Sequence, residues 1–426
     1  MAKAVFHISG STKPLRGTIE VRGAKNDILK GLAAVLLTRG DIAYTNMPDI
    51  EDVRRTLELL KSLGVQMTDR TTRVCTLNAS HIKGHILRRD IAEQIRASIV
   101  LAGPLLARQG KVRFPFPGGC VLGKRPIDLF VHGWSAMGAR MRLVGDEYEF
   151  SASRLHGADI TFYKVSVTGT EAMMFSAVLA HGTTVLRNAA LEPEIPHLAD
   201  FLNSLGARIH GAGTPTITIE GTDGKLLEGP GQFATLPDRI EAGSFAALVA
   251  ARGGKVKITS CNPEHLAVPI EILREMGVRV TAGKDFMLIE SKGKLKPIDM
   301  IKTREYPGFP TDLQAPFTVL LTRARGASLV FETIFEGRLA YIDDLNRMGA
   351  AITICDPHRV LVNGPTELRG RHMESPDIRA GLAFVIAAAI AKGPSVLEGI
   401  YKIDRGYEKI EMRLRRIGVA IERKKS

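Results

Sequence analysis

The sequence predicts an α/β fold of two domains, each made of three pseudosymmetric units with buried helices and outer sheets. Three observations support this prediction: the length of 426 residues, a short pattern that recurs six times, and an Ala-rich stretch followed by a β-branched run in every copy. A chain of this length is long for a single hydrophobic core, so two domains are expected.

The recurring pattern is an apolar residue, two further residues, an apolar residue, Gly, and Ala or Val. It reads LKSLGV, WSAMGA, LNSLGA, LREMGV, LNRMGA and LRRIGV. The glycines lie 74, 68, 71, 72 and 69 residues apart, at Gly64, Gly138, Gly206, Gly277, Gly349 and Gly418. The residues before each glycine have helical spacing and those after it alternate as in a strand. We therefore expect each glycine to end a helix in the left-handed conformation.

A second element recurs in the same phase. Ala-rich stretches such as EAMMFSAVLA and AGLAFVIAAAIA precede a Gly and a short β-branched run, as in HGTTVLRN and KGPSVLEG. These stretches are apolar on nearly every face, which predicts buried helices. Six units suggest two domains of three, predicted as residues 1–24 with 237–426, and residues 25–236. A solenoid is the alternative, although solenoid repeats are usually about 20 to 50 residues long.

The composition is that of an ordinary globular protein, with 45% apolar and 24% charged residues. The longest apolar run near the C-terminus, residues 381–391, is too short to cross a bilayer as a helix. The N-terminus turns polar after a few residues and offers no signal-peptide core. We therefore expect a cytoplasmic protein without membrane insertion.

The net charge of +13 suggests a polyanionic partner: nucleic acid, an anionic membrane or small phosphorylated substrates. Solubility alone is the simpler explanation of such an excess. The four cysteines are far apart, without CxxC or Cys/His spacing, at Cys75, Cys120, Cys261 and Cys355. This spacing argues against a zinc site and against a disulfide framework, so we expect no metal.

One segment departs from the repeat. The second unit continues as PGGCVLGKRPIDL where its siblings have a turn and a helix. Its three glycines allow a flexible backbone, and Lys124 and Arg125 place two positive charges near Cys120. Such charges favour the thiolate, and a Gly-rich backbone can approach an anion closely. The alternative is a glycine loop with an incidental buried cysteine.

Four charged residues are predicted at the starts of Ala-rich helices in different units: Lys25, Arg96, Asp312 and Arg379. If those helix N-termini converge on one cleft, their dipoles and cations would suit a small substrate with several negative charges. Simpler interpretations are a capping turn at GAKND and an N-cap role for Asp312. Likewise, Arg405 beside Asp404 in IDRGYEKIE is typical of a surface ion pair.

Seven motifs, GAKN, IRAS, PGGCVLGKRP, FPTDLQA, FEGR, DIRAG and IDRGYEKIE, resemble those of the UDP-N-acetylglucosamine 1-carboxyvinyltransferase family, from about residue 7 to residue 423. The resemblance implies a fold of two inverse α/β domains, each with threefold pseudosymmetry and with the active site in the cleft between them. It also implies transfer of the enolpyruvyl group of phosphoenolpyruvate to the 3'-hydroxyl of UDP-N-acetylglucosamine, the first committed step of peptidoglycan precursor synthesis. The family uses a tetrahedral intermediate and no metal or organic cofactor.

The resemblance also implies roles for individual residues. Cys120 matches the family's acid, which protonates C3 of the enol ether, and Asp312 matches the base that takes the hydroxyl proton. The phosphate and carboxylate of phosphoenolpyruvate would be held by Lys25, Arg125 and Arg405, with Arg96 close by. Further cleft positions match Arg338, Asp377 and Arg379. The nucleotide-sugar positions match Asn26, Arg125, Pro126, Ile127, Asp128, Leu129, Lys164, Ser166, Val167, Thr168 and Asp312.

The chain departs from the family pattern at a few places. Phe130 stands where the family usually has His, leaving a ring that could stack on the uracil. Lys30 stands where Pro is common, which would alter the hinge or the start of the helix. Thr168 replaces a Gly at the edge of the expected diphosphate site, and FEGR replaces FENR.

Two other hypotheses remain open. A related enolpyruvyl transferase could use another acceptor, such as that of the shikimate pathway, although that relative has a Gly-Ser-Lys-Ser type motif where this chain has GAKN. A nucleic-acid-binding protein would explain the charge. However, the sequence has no basic stripe interleaved with aromatic residues, and its single Trp134 falls in a repeat helix. We therefore expect small-molecule substrates and no nucleic acid.

Overall fold

The computed structural model describes residues 4–71, 73–116 and 127–425. These residues divide into two compact units. Unit 1 contains residues 4–22 and 237–425, and unit 2 contains residues 23–116 and 127–236. The domain boundaries derived from the repeats, after residues 24 and 236, stay a prediction. Cys120, Arg125 and Pro126, which carry much of the sequence argument, lie outside the described residues.

The α-helices of the described residues are α1 (Lys25–Ala34), α2 (Glu51–Ser62), α3 (Arg89–Ala92), α4 (Ala102–Gln109), α5 (Asp128–Ala136), α6 (Val167–Val178), α7 (Glu194–Ser204), α8 (Arg239–Arg252), α9 (Ala267–Glu275), α10 (Gln314–Leu321), α11 (Ile342–Arg347), α12 (Ile378–Ile390), α13 (Tyr401–Asp404) and α14 (Ile410–Arg416). Short 3-10 helices cover Val35–Leu37, Arg96–Leu101, Pro263–Leu266 and Thr311–Leu313.

The strands of the described residues are β1 (Ala4–Ser9), β2 (Leu15–Glu20), β3 (Asp41–Thr45), β4 (Gln66–Thr68), β5 (Cys75–Asn78), β6 (Lys111–Pro115), β7 (Arg140–Val144), β8 (Glu147–Ser151), β9 (Asp159–Thr161), β10 (Thr183–Arg187), β11 (Arg208–His210), β12 (Thr216–Glu220), β13 (Gly231–Ala234), β14 (Gly254–Thr259), β15 (Arg279–Ala282), β16 (Phe286–Ser291), β17 (Met300–Lys302), β18 (Gly326–Phe331), β19 (Ala351–Asp356), β20 (Arg359–Gly364), β21 (His372–Glu374), β22 (Pro394–Glu398) and β23 (Ala420–Lys425).

The Ala-rich stretches form the inner helices, as predicted. In unit 1, α8, α10 and α12 pack against one another, and all but a few of their residues are buried. In unit 2 the corresponding segments are α1, α4 with the 3-10 helix before it, and α6. Because these helices are apolar all round, they gain stability only when other elements cover every face.

The sheets repeat one topology. In five four-stranded sheets, the strand that follows an Ala-rich helix pairs parallel with one neighbour and antiparallel with the other, and an antiparallel edge strand completes the sheet. The sheet β6-β8-β7 has three strands, and its parallel neighbour is reduced to a bridge between Ile86 and Arg113. β1 and β2 complete two sheets of unit 1, so the start of the chain belongs with its C-terminal half.

The six glycines of the pattern end helices, as predicted. Each has a φ between +89° and +103°, a backbone region that residues with a Cβ rarely adopt. In every copy the N–H of the last residue of the pattern donates to the carbonyl of the first, as Val65 does to Leu60 and Val419 to Leu414. This is the Schellman hydrogen bond. The six residues of the recurring pattern are therefore one helix-ending motif.

A Gly206→Ala variant tests this explanation. The φ of Gly206 is +101° and nothing lies within 4 Å of an added Cβ, so backbone strain is the only cost of the methyl group. We expect a loss of about 1–2 kcal/mol in the free energy of unfolding, measured by urea denaturation. Gly206→Asn should lose less, because Asn tolerates left-handed backbone; equal stability of Gly206→Ala and the parent would contradict the explanation.

Candidate functional site

Asp312 is the centre of the charged cluster in unit 1. It lies in the 3-10 helix Thr311–Leu313, directly before α10. Its Oδ1 accepts from Nη1 and Nη2 of Arg338, at 3.0 and 3.1 Å. Its Oδ2 lies 3.0 Å from Nε and 2.8 Å from Nη2 of Arg379. The N-cap interpretation of Asp312 is wrong, since Pro310 occupies that position and the carboxylate faces the two arginines.

Packing and hydrogen bonds fix both arginines. Arg338 also donates to the backbone oxygen of Thr311 at 2.9 Å. Arg379 is the second residue of α12 and donates to the hydroxyl of Tyr407 at 2.7 Å. The carboxylate of Asp377 caps α12 by accepting from the N–H groups of Arg379 and Ala380. The inner helix α12 therefore begins at the cluster and places Arg379 there.

The cluster combines buried cations with a partly open carboxylate. The side chains of Arg338 and Arg379 are 6% and 7% exposed, whereas Asp312 is 22% exposed. Burial lowers the pKa of Arg379, but the charges of Asp312 and Asp238 and the hydrogen bond to Tyr407 together raise it well above its ordinary value. Burial also raises the pKa of Tyr407, so its hydroxyl stays protonated near neutral pH. The carboxylate is thus held in one orientation with part of its surface accessible.

In unit 2, the first turn of α1 carries Lys25 and Asn26. Lys25 Nζ forms an ion pair of 3.0 Å with Oδ2 of Asp52, a buried residue in the first turn of α2. Among the described residues, no side chain forms a capping hydrogen bond at the start of α1. The next residue, Asp27, is buried and accepts from the N–H of Leu236 at 2.8 Å, while its other oxygen lies 2.8 Å from His197 Nδ1. Burial raises the pKa of the Asp27 carboxyl against the opposing effect of His197.

The segment Lys164–Thr168 leads into the inner helix α6. Ser166 is its N-cap and accepts from the N–H of Gly169 at 3.1 Å. Val167 and Thr168 are the first two helical residues and are half-buried. Lys164 is exposed, with Nζ 5.5 Å from the centre of the Tyr163 ring. A 12-residue helix whose N-terminus follows an exposed lysine provides two favourable features for an anion.

The start of α5 corrects one expectation. Phe130 is 4% exposed and packs against Trp134, with ring centres 5.7 Å apart. Its ring is part of the hydrophobic core of unit 2, so the suggestion that it could stack on a uracil is wrong. Ile127 and Leu129 are also buried, so any ligand contact there would use their backbone. Asp128 is half-buried at the first position of α5.

The remaining cations are placed as follows. Arg96 is half-buried and begins the 3-10 helix Arg96–Leu101, as predicted. Arg405 is half-buried and directly follows α13. The carboxylate of the neighbouring Asp404 accepts two hydrogen bonds from Arg423, of 2.9 and 2.6 Å. Cys120, Arg125 and Pro126 lie outside the residues that the structure describes.

The structure adds residues that the motifs did not suggest. Tyr407 binds Arg379, and Asp52 binds Lys25. Tyr407 lies two residues after Arg405 in a motif already singled out, which could have drawn attention to it. Nothing in the sequence around Asp52 indicates a functional residue, because acidic residues are common in the first turn of an outer helix.

The expected effect of Lys30 on the hinge or the helix start stays a prediction. α1 begins at Lys25, and Lys30 lies one turn inside it, with its side chain buried beside Glu171 of α6.

The described residues lack two further features. Within 4–71, 73–116 and 127–425, no three or more His, Cys, Asp or Glu side chains are grouped in a way that could hold a metal ion. Across the same residues, none of the helices combines the length and the apolar character that a membrane span requires.

Known proteins match the whole chain. A family model described as EPSP synthase (3-phosphoshikimate 1-carboxyvinyltransferase) matches residues 10–414. A UDP-N-acetylglucosamine 1-carboxyvinyltransferase of Acidobacterium capsulatum is 44% identical over 422 residues, covering 98% of this chain and 95% of the relative. The chain belongs to the UDP-N-acetylglucosamine 1-carboxyvinyltransferase family. The protein is thus a transferase, and the family resemblance of the seven motifs is confirmed.

Other relatives agree. A UDP-N-acetylglucosamine 1-carboxyvinyltransferase of Desulfosudis oleivorans is 41% identical, covering 96% of this chain and 97% of the relative. Among solved structures, the enolpyruvyl transferase NikO from Streptomyces tendae covers 100% of both chains, with a TM-score of 0.90 and 23% identity. An EPSP synthase from Acinetobacter baumannii covers 99% of this chain and 100% of its own, with a TM-score of 0.75 and 19% identity. The protein therefore has the enolpyruvyl transferase fold.

Proposed function

We propose that the protein transfers the enolpyruvyl group of phosphoenolpyruvate to the 3'-hydroxyl of UDP-N-acetylglucosamine, releasing phosphate, and that the predicted site residues carry out this reaction. The observation that carries the reaction is the 44% identity, over nearly the full length of both chains, to a relative named for carboxyvinyl transfer to UDP-N-acetylglucosamine. A cytoplasmic location and a place in peptidoglycan synthesis are part of the proposal.

The reaction requires three proton transfers: loss of the proton of the attacking 3'-hydroxyl, gain of a proton at C3, and later loss of a proton from C3. Addition joins the 3'-oxygen to C2 of phosphoenolpyruvate while C3 gains a proton, which gives a tetrahedral intermediate. Elimination then removes a proton from C3 and breaks the bond between C2 and the phosphate oxygen. We assign the proton donor to Cys120 and the acceptor of the hydroxyl proton to Asp312.

The geometry of Asp312 places a condition on its role as base. A carboxylate has about four lone-pair positions, and Arg338 and Arg379 make four N–H contacts with Asp312. Accepting a further proton requires at least one of these contacts to open or lengthen. The 22% exposed surface of Asp312 is the side from which a hydroxyl could approach. Both arginines would then stabilise the charge that moves during the reaction.

The cations suit the anionic groups of phosphoenolpyruvate. We assign Lys25, Arg125 and Arg405 to its phosphate and carboxylate, with Arg96 nearby. In unit 2, the Lys25 ammonium pairs with a buried carboxylate at 3.0 Å. This contact holds it at the start of an inner helix, where the helix dipole favours an anion. In unit 1, Arg338, Asp377 and Arg379 belong to the cluster around Asp312, and we assign this cluster to catalysis.

The nucleotide sugar would use helix starts of unit 2. We assign its diphosphate to the N-terminus of α6, with Lys164 supplying charge and Ser166 a hydroxyl that still has a hydrogen to donate. Val167 and Thr168 would offer backbone N–H groups. Asn26 and residues 125–129 complete the assigned contacts, with Ile127 and Leu129 acting through their backbone because their side chains are buried.

One assay separates the remaining possibilities. Purified protein is given phosphoenolpyruvate with either UDP-N-acetylglucosamine or shikimate 3-phosphate, and phosphate release is followed. We expect release with the nucleotide sugar alone. Release with shikimate 3-phosphate instead would move the protein to the other acceptor, and release with neither would overturn the proposal.

A further inference from the structure

Lys30 is a buried cation one turn inside α1. Its side chain is 7% exposed, and its Nζ donates to the backbone oxygen of Asn26 at 2.5 Å. The same Nζ lies 3.2 Å from Oε1 of Glu171 on α6. One ammonium group therefore contacts both the first turn of α1 and a residue of the neighbouring inner helix.

Glu171 occupies a similar place on α6. It follows Thr168 by three residues and is completely buried. Neither of its carboxylate oxygens accepts a hydrogen bond of good geometry from the described residues, which leaves the ion-pair contact with Lys30. Both residues thus lie about one helical turn behind the positions assigned to the nucleotide sugar, Asn26 on α1 and Ser166–Thr168 at the start of α6.

A buried pair of this kind is a poor choice for stability alone. Removing two charges from water costs several kcal/mol per ion, and apolar residues of similar size often stabilise a core better. What a charged pair provides is a preferred geometry, because the contact is strong only at one separation. Here the contact fixes the distance between the N-terminal parts of α1 and α6 within unit 2.

We propose that Lys30 and Glu171 are a positioning pair that holds the first turn of α1 in register with the start of α6 and so sets the affinity for the nucleotide sugar. The inference rests on the proposed function, because it takes those two turns to bind UDP-N-acetylglucosamine. Neither residue touches the ligand in this proposal; both act through the backbone that carries the binding groups.

The pair should also respond to pH. Burial raises the pKa of Glu171 to about 8, against the opposing charge of Lys30 and with a further increase from Glu194 and Glu192 near the start of α7. While Glu171 is protonated it attracts the Lys30 ammonium less strongly, so the two helix starts are held less firmly. As the pH rises through about 8 the carboxylate becomes charged, and the ion pair that sets the register of the two turns strengthens.

The test measures the dissociation constant of UDP-N-acetylglucosamine by calorimetry for the parent, Lys30→Met, Lys30→Arg, Glu171→Gln and the double variant. We expect Lys30→Met to weaken binding roughly tenfold, a modest part of what a misplaced group can cost, and Lys30→Arg to recover most of it. Lys255→Met is the matched control, since it removes a surface pair with Glu290 of unit 1 and should not change the affinity.

The pH dependence of the dissociation constant distinguishes a positioning role of the pair from a loss of stability. Between pH 7 and 9 the affinity of the parent should rise as Glu171 becomes charged, and that of Glu171→Gln should change much less, because Gln cannot ionise. Thermal unfolding shows whether each variant is folded; if Lys30→Met is not, Glu171→Gln and Lys30→Arg carry the test. Parent-like affinity of Lys30→Met, or a parent-like pH profile of Glu171→Gln, would overturn the inference. Failure of the parent to bind the nucleotide sugar would instead overturn the proposed function.

Discussion

Replacing Asp312 by Asn should reduce kcat by about 10²–10⁴-fold, the usual contribution of a general base. Asn has nearly the same shape but cannot take the proton of the attacking hydroxyl. The dissociation constant of UDP-N-acetylglucosamine should change far less than kcat. Steady-state kinetics with both substrates, together with calorimetry of the nucleotide sugar, measure the two quantities separately.

The variant also leaves two buried arginines without their shared carboxylate. Loss of one partner of a buried ion pair typically costs about 3–5 kcal/mol, so thermal unfolding must be measured beside the kinetics. Asp343→Asn, at an exposed position in the first turn of α11, controls for the substitution itself. Equal losses in turnover and in nucleotide-sugar binding would argue against the base role, whatever the stability of the variant.

Alkylation by the epoxide antibiotic fosfomycin should place a single label on Cys120. Lys124 and Arg125 follow Cys120 by four and five residues in the sequence, and nearby cations favour the thiolate, which is the nucleophile. The other cysteines provide the contrast: Cys75 and Cys261 are buried, and burial raises the pKa of each thiol to about 11. Intact-mass analysis with peptide mapping identifies the modified residue.

Turnover provides the second part of this test. Cys120→Ala should lose about 10²–10⁴-fold in kcat if the thiol is the general acid, and it should not be labelled. Cys355→Ala, at an exposed cysteine, should keep the parent's rate and labelling. A label on Cys355, or an unmodified parent protein, would refute the prediction for Cys120.

Part of the architecture could be predicted because it is local. A helix that ends in a Schellman motif needs a residue with positive φ at one position, so Gly recurs at Gly206, Gly349 and the four equivalent sites. The hydrogen bond of that motif joins residues only five apart, such as Leu202 and Ala207. Similarly, a helix that is covered on every side must be apolar on every face, which marks α8 and α12 in the sequence.

The site was predictable only as a set of residues. The family motifs contain Asp312, Arg338 and Arg379 separately. That both arginines bind the same carboxylate is seen only in the structure. The motifs also do not show that Tyr407, which lies inside the IDRGYEKIE motif, binds Arg379. Phe130 shows the reverse error, because an aromatic residue near a binding motif is equally compatible with a ligand contact and with the core position it occupies beside Trp134.

The sequence by itself determined the sixfold repeat, the inner helices and the family, because each depends on residues that are close along the chain or on motifs that keep their order. Only the tertiary structure decided that Asp312 is shared by two buried arginines and that Lys30 meets Glu171 across two inner helices. Those contacts join residues 26, 67 and 141 positions apart. The packing of the helices brings these charged side chains together. Sequence periodicity therefore cannot predict which of them are in contact.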